Sequence, residues 1–230
     1  MQLWRQKLKS LTIMTLQNRA ENKPIINKAI KTLLAFVFIF NVSAGLYMPI
    51  IAIFITQNII GATLATVGVS IAIYSIVKAI FQIPIARRLD IAKGERDDFY
   101  VLLLGIILAI FYSLAYLFIK NINDLYFLQI LTGIADACIF AAYYAIFSHH
   151  IDRESQGFEW SLFSVGGLTV STSIGGLTGG YIATVFGFEA VFILASSLNI
   201  VAALVLLILF PYVKNFRFAG HYKNLKIGKR

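Results

Sequence analysis

Two ionisable side chains fall inside runs that are otherwise free of charge. Asp136 stands in Gly133-Ile134-Ala135-Asp136-Ala137-Cys138, and Lys78 in Tyr74-Ser75-Ile76-Val77-Lys78. Each costs roughly 3 kcal/mol to place at the centre of a membrane helix. The short Asp136 side chain reaches neither end of its helix, so Asp136 must face protein or a wet cavity. At helical spacing Asp136 belongs to a stripe of Gln129, Gly133, Asp136, Phe140 and Tyr143, while Lys78 belongs to Ser70, Tyr74, Lys78 and Gln82. A carboxylate at such a depth can carry a proton or cation, or hold a solute. It can also be a neutral acid or half of a buried pair with no transport role, and both readings stay open. Helical rise puts Lys78 and Asp136 within about 6 Å of each other in depth. A lysine stem covers that distance, so pairing or a shared cavity is expected. The alternative is that Lys78 snorkels to the nearer headgroups.

The elements that position them follow from composition. Hydrophobic residues make up 59% of the 230 and charged residues 13%, with a mean hydropathy of +0.79. A soluble domain needs more charge than that to cover its surface. A crossing takes about 20 apolar residues. Runs at 32–55, 62–86, 99–119, 125–148, 160–186 and 190–211 meet that length, with Thr56-Gln57-Asn58 and Gly61 splitting the first two. Backbone polar groups in hydrocarbon must be satisfied within the segment, which makes the runs helices. The expected fold is therefore an all-α membrane protein with six transmembrane helices. Residues 1–31 form a basic leader, 32–211 the membrane domain and 212–230 a basic tail. The first span adds Asn41, Gly45 and Met48 on one face, with Pro49 as a kink point. Spans three and six offer few polar groups and are expected to be outer, lipid-facing helices. Tyr47, Tyr74, Tyr143, Tyr144 and Phe140 suggest an aromatic-lined cavity.

Of the 20 Lys and Arg residues, only Lys120 falls between spans on the second face, and only Lys78 falls within a span. The rest lie before the first span, after the sixth, or in the second-to-third and fourth-to-fifth loops. Positive charge stays cytoplasmic, so both termini are expected inside, in the plasma membrane. The net charge of +9 reads as topology plus attraction to anionic lipid, with no nucleic acid required. Trp4, Leu8, Leu11 and Met14 share a helical face, which fits either an amphipathic surface helix or a disordered basic leader. The leader is too long for a cleavable signal peptide. Cys138 is the single cysteine. His149 and His150 close the fourth span, and no neighbouring cluster completes a metal site. No metal or cofactor is expected.

The fifth span carries small residues at a spacing of four: Gly167, Ser171, Gly175, Gly179 and Ala183, with Thr172, Gly176 and Gly180 as a second row. Such rows let helix backbones approach closely, as tight packing or as a moving interface. Three segments together resemble one half of a major facilitator superfamily (MFS) transporter. The loop from Ile83 to Arg96, with Arg87, Arg88, Asp90 and Gly94, resembles the family's Gly-x-x-x-Asp-Arg-x-Gly-Arg-Arg loop, with Ala86 in place of the first Gly and one extra residue before Gly94. Ser171-x-x-x-Gly175-Gly176-x-x-Gly179-Gly180 resembles the antiporter motif, with Gly176 where Pro is usual. Gln129 to Gly133 aligns with Arg-x-x-Gln-Gly, without the Arg. The resemblance implies two three-helix repeats, and a small solute bound between two parallel six-helix halves. It implies that Asp90 meets a helix start, near residues 157–160, in the other half. A homodimer, or a second six-helix half from another chain, would complete the cavity, with the lipid bilayer as the remaining partner.

Other classes fit less well. Ala86-Arg87, Gly94 and Asp98 faintly resemble a CDP-alcohol phosphotransferase signature, but the Asp-Gly before Ala-Arg and the later metal-binding Asp are missing. No His lies mid-span for an intramembrane Ser–His protease. An enzyme is not expected. A membrane partner that transports nothing remains the alternative.

Overall fold

A computed structural model describes residues 26–91 and 94–213. The leader stripe Trp4, Leu8, Leu11 and Met14, most of the basic tail, and Lys93 of the loop lie outside the described residues.

The long apolar runs are helical, as backbone groups in hydrocarbon require. α1 spans Lys28–Tyr47, capped by the Asn27 carboxamide, whose Oδ1 accepts from Ile30 N at 2.8 Å. The Asn27 amide also donates to His150 O at 2.6 Å, tying the start of α1 to the end of another helix. Pro49 has no N–H to continue the ladder. The chain turns at residues 48–50 and resumes as α2, Ile51–Asn58. The first expected span is thus two helices meeting at Pro49. α3, Leu64–Ile91, opens with Thr63 and Thr66 exchanging backbone and hydroxyl bonds. α4 spans Glu95–Ala115 and α5 spans Ile122–His150. At 29 residues α5 is about 44 Å long, so its ends pass beyond a bilayer's hydrocarbon core.

The last part of the chain is one helical run with two irregularities. A short helix α6, Gln156–Ser161, leads into a π-wound stretch, Leu162–Val170, which continues as α7, Ser171–Leu207. Gly187 interrupts α7 with φ 83° and ψ 172°, a left-handed backbone that side-chain-bearing residues avoid. A single turn, α8, follows at Phe210–Val213. Five helical runs among the described residues are long and apolar enough to cross a membrane, the last of them Gln156–Val213 with the Gly187 break inside it.

α1 packs along α7, α3 along α5, and α4 against both α5 and α7. The α1–α7 seam is backbone against backbone. A Cβ at Gly175 would meet Val42 O, and one at Gly179 would meet Leu46 O. The first row of small residues makes most of this seam. Of the second row, Thr172 and Gly176 also come close, to Gly45 and Pro49, while Gly180 has open space beside it. Ser43 Oγ adds a bond across the seam to Ala195 O at 2.8 Å. Aromatic rings fill the interior in two groups. Phe36, Tyr143, Phe147, Trp160 and Phe163 pack together, and Tyr47, Phe54, Tyr116 and Phe192 pack together elsewhere.

The expectation for the third and sixth spans needs correction. α4 buries Phe99, Leu102, Ile106, Ala109, Tyr112 and Ser113, and the end of α7 buries Val191, Phe192, Ala195 and Asn199. Asn199 Nδ2 donates to Ser113 Oγ at 3.0 Å and to Ala109 O, and Ser196 Oγ reaches Ile110 O, so polar groups glue the two together. α3, which carries Tyr74 and Lys78, is instead the least buried of the long runs. α4 also begins four residues earlier than expected. Glu95 and Asp98 are buried in its first turn, and Glu95 lies 3.6 Å from His149 Nδ1 and 3.8 Å from His150 Nε2.

Candidate functional site

The site is built from two i, i+4 pairs on facing helices. Tyr74 and Lys78 stand one turn apart on α3, and Asp136 and Phe140 one turn apart on α5. Gly133 lets the helices close up, because a Cβ there would press on Tyr74 O and on the Val77 side chain. Asp136 sits at the midpoint of α5 and is only 8% exposed. Its Oδ2 accepts from Tyr74 OH at 2.6 Å and lies 3.6 Å from Lys78 Nζ. Lys78 Nζ also donates to Tyr74 OH at 3.1 Å and stands 4.0 Å above the centre of the Phe140 ring. Asp136 Oδ1 is buried and makes no hydrogen bond.

This cluster opens on a cavity of about 390 Å³. Asn41 and Tyr47 come from α1 and Met48 from its C-cap, Tyr112 from α4 and Tyr116 from its C-cap, and Gln129 and Thr132 from α5. The walls are mostly aromatic and aliphatic, with one carboxylate and one ammonium. A pocket of that make-up buries an apolar body and orients it through a few polar groups. The Pro49 break lies at the cavity's edge, beside Met48 and Ile51, where α1 gives way to α2.

Of the residues singled out in the sequence, Asp136, Lys78, Tyr74, Asn41 and Gln129 all line this cavity. Asn41 also bonds Val37 O, and Gln129 Nε2 reaches Tyr116 OH at 3.4 Å. Tyr143 does not join them. It is fully buried in the aromatic core between Phe36, Phe147 and Phe163, because one further turn of α5 carries the stripe past the cavity and under α1. Gly167, Ser171, Gly175 and Gly179 pack inward, Gly167 against Val37, and Gly176 lies near Pro49. Arg87, Arg88, Asp90 and Gly94 are exposed at the end of α3 and the start of α4, away from the cavity. His150 is also not at an open surface, since its side chain is 7% exposed beside the Glu95 carboxylate. No group of three His, Cys, Asp or Glu among the described residues could hold a metal.

Sequence reasoning missed Tyr112 and Tyr116. They are spaced i, i+4 at the end of α4, Tyr116 as its C-cap, with Ser113 beside them, and that spacing was the available signal. A family model described as the Major Facilitator Superfamily matches residues 33–219. No curated protein matches the chain.

Proposed function

Because the chain belongs to the Major Facilitator Superfamily, we propose that it is a secondary active transporter of a small solute. The observation that carries this reading is the paired Asp136 and Lys78 on the wall of a 390 Å³ cavity between long apolar helices. Intramembrane ionisable residues are costly and mark solute or ion paths. The protein crosses the plasma membrane six times, with both termini in the cytoplasm. Gly187 is the turn between the fifth and sixth crossings. The six helices form two three-helix repeats, and two such bundles stand in parallel about an axis along the membrane normal. The second bundle is another copy of this chain, and the cavity is exposed alternately to the two sides. The sparse burial of α3 supports this, because the helix bearing Tyr74 and Lys78 is the one least covered by its own chain.

The deciding experiment is the mass of the purified protein in nanodiscs, with solute flux in proteoliposomes from the same preparation. A dimer that moves solute supports the reading. A monomer without flux overturns the homodimer and turns the search to a separate partner chain.

Asp90 closes the cycle on one side by placing its charge at the start of the partner bundle's fifth crossing, near residues 157–160. An anion there meets the positive end of a helix, worth about 0.3–1 kcal/mol when exposed. Asp90→Asn is therefore expected to shift the balance of open states about threefold, read as cysteine accessibility from each side. Unchanged accessibility and unchanged flux together would count against this role.

A further inference from the structure

Lys78 is held as a ligand would be held. Its ammonium has a carboxylate oxygen at 3.6 Å, a phenol oxygen at 3.1 Å and an aromatic face at 4.0 Å. Carboxylate, hydroxyl and ring face are what a binding site offers to an alkylammonium ion. The cluster is also incomplete in a particular sense. The Asp136 side chain is buried, 11% exposed, and its Oδ1 has no donor within hydrogen-bond distance, the Tyr112 hydroxyl being a nearby phenol on the cavity wall. A buried carboxylate oxygen without a donor is costly, and the group that relieves it is an N–H or O–H donor, a charged N–H most strongly. The open valence at this site therefore belongs to an acceptor. An anionic solute would approach Lys78 only beside the negative charge of Asp136, and would leave Oδ1 unrelieved.

We infer that Lys78 is a tethered stand-in for the substrate, and that the substrate is a small protonated organic amine with an apolar, ring-sized body. This rests on the transporter reading above and names the solute class for the same cavity. The substrate ammonium takes the place of Lys78 Nζ between Asp136, Tyr74 and Phe140. Its body lies against Tyr47, Met48 and Tyr112 in the cavity. The long lysine stem lets its ammonium withdraw along α3 without backbone motion. The two readings of Lys78 in the sequence, paired and snorkelled, are then its two states, with and without substrate. When substrate leaves, Lys78 returns, and the carboxylate is never left without a cation.

The test uses the full-length protein in nanodiscs and three probes of one shape: 2-phenylethylammonium, 3-phenylpropionate and 2-phenylethanol. Binding is measured by calorimetry on the native chain, Lys78→Met and Asp136→Asn. Removing the tethered competitor is expected to tighten 2-phenylethylammonium at least tenfold in Lys78→Met. In Asp136→Asn its binding falls at least thirtyfold, and 2-phenylethanol changes less than twofold in both variants. Should Lys78→Met fold poorly, Lys78→Ala is melted with and without ethylammonium. A rise in melting temperature with ethylammonium and none with ethanol supports the site, and equal effects of the two overturn it. The inference also fails if Lys78→Met binds the amine no better than the native chain, if no protein binds the amine, or if 3-phenylpropionate binds best and is lost with Lys78. Amine binding in the expected pattern without flux would sink the transporter reading and leave the site standing. Flux of another solute without amine binding would do the reverse.

Discussion

Asp136→Asn is expected to lower solute flux in proteoliposomes about a hundredfold while the protein remains folded. The amide keeps the volume of the carboxylate and removes its charge. Lys78 is then a partly buried cation without a counter-ion, and Tyr74 OH loses its acceptor at 2.6 Å. Truncating one member of a buried, hydrogen-bonded charge pair costs about 2–5 kcal/mol, and about 1.4 kcal/mol is a factor of ten. The informative control is Tyr143→Phe. Tyr143 lies on the same sequence stripe, yet its hydroxyl has no partner and faces the aromatic core. Flux through Tyr143→Phe should stay within twofold of the native chain. Loss of transport in Tyr143→Phe, or its retention in Asp136→Asn, would show that the path does not run through the cavity between α3, α4 and α5.

The second large effect concerns the α1–α7 seam. Gly179→Ala places a methyl group on Leu46 O, and Gly175→Ala places one on Val42 O and the Gly45 backbone. Backbone cannot step aside as a side chain can. Overpacking of this kind costs about 1–3 kcal/mol, and the membrane offers no alternative contact of equal quality. Each substitution should lower the melting temperature in nanodiscs by several degrees. Gly180→Ala, one residue along, meets nothing within 4 Å and should melt with the native chain. Equal sensitivity at 179 and 180 would mean that Gly180 also packs, as it would at a subunit interface. The comparison thus reports on the dimer as well as on the seam.

How legible the fold and site were depends on the energy scale of each feature. Asp136 and Lys78 stand out in the sequence because a charge in hydrocarbon is costly and rare, and their facing helices follow from that cost. Pro49 announces a break because it cannot donate. Tyr112 and Tyr116 gave no such sign, since a phenol is tolerated almost anywhere in a membrane helix. Only the packing of α4 against α5 turns them toward the cavity. The small residues of the fifth span fall in two rows of equal spacing. Which of their members pack is decided by Val42, Gly45, Leu46 and Pro49 elsewhere in the chain, not by the rows themselves. Tyr143 shows the same limit from the other side, for a stripe at helical spacing drifts around the axis over two turns. The burial of Glu95 beside His149 and His150 depends on where two helix ends meet, which local sequence does not record.

Slack is stored in Leu162–Val170. A π turn closes each backbone hydrogen bond over one residue more than an α turn. Tightening that stretch to α geometry would return one residue to the helix and turn everything toward Gln156 by about 100° around the axis. Trp160 would swing off the Phe147 ring, now 4.8 Å away, while the glycine seam below kept its register. The stretch is in that sense a torsional joint. It allows one end of the helix to rotate where the other, locked backbone to backbone, has no room to slide.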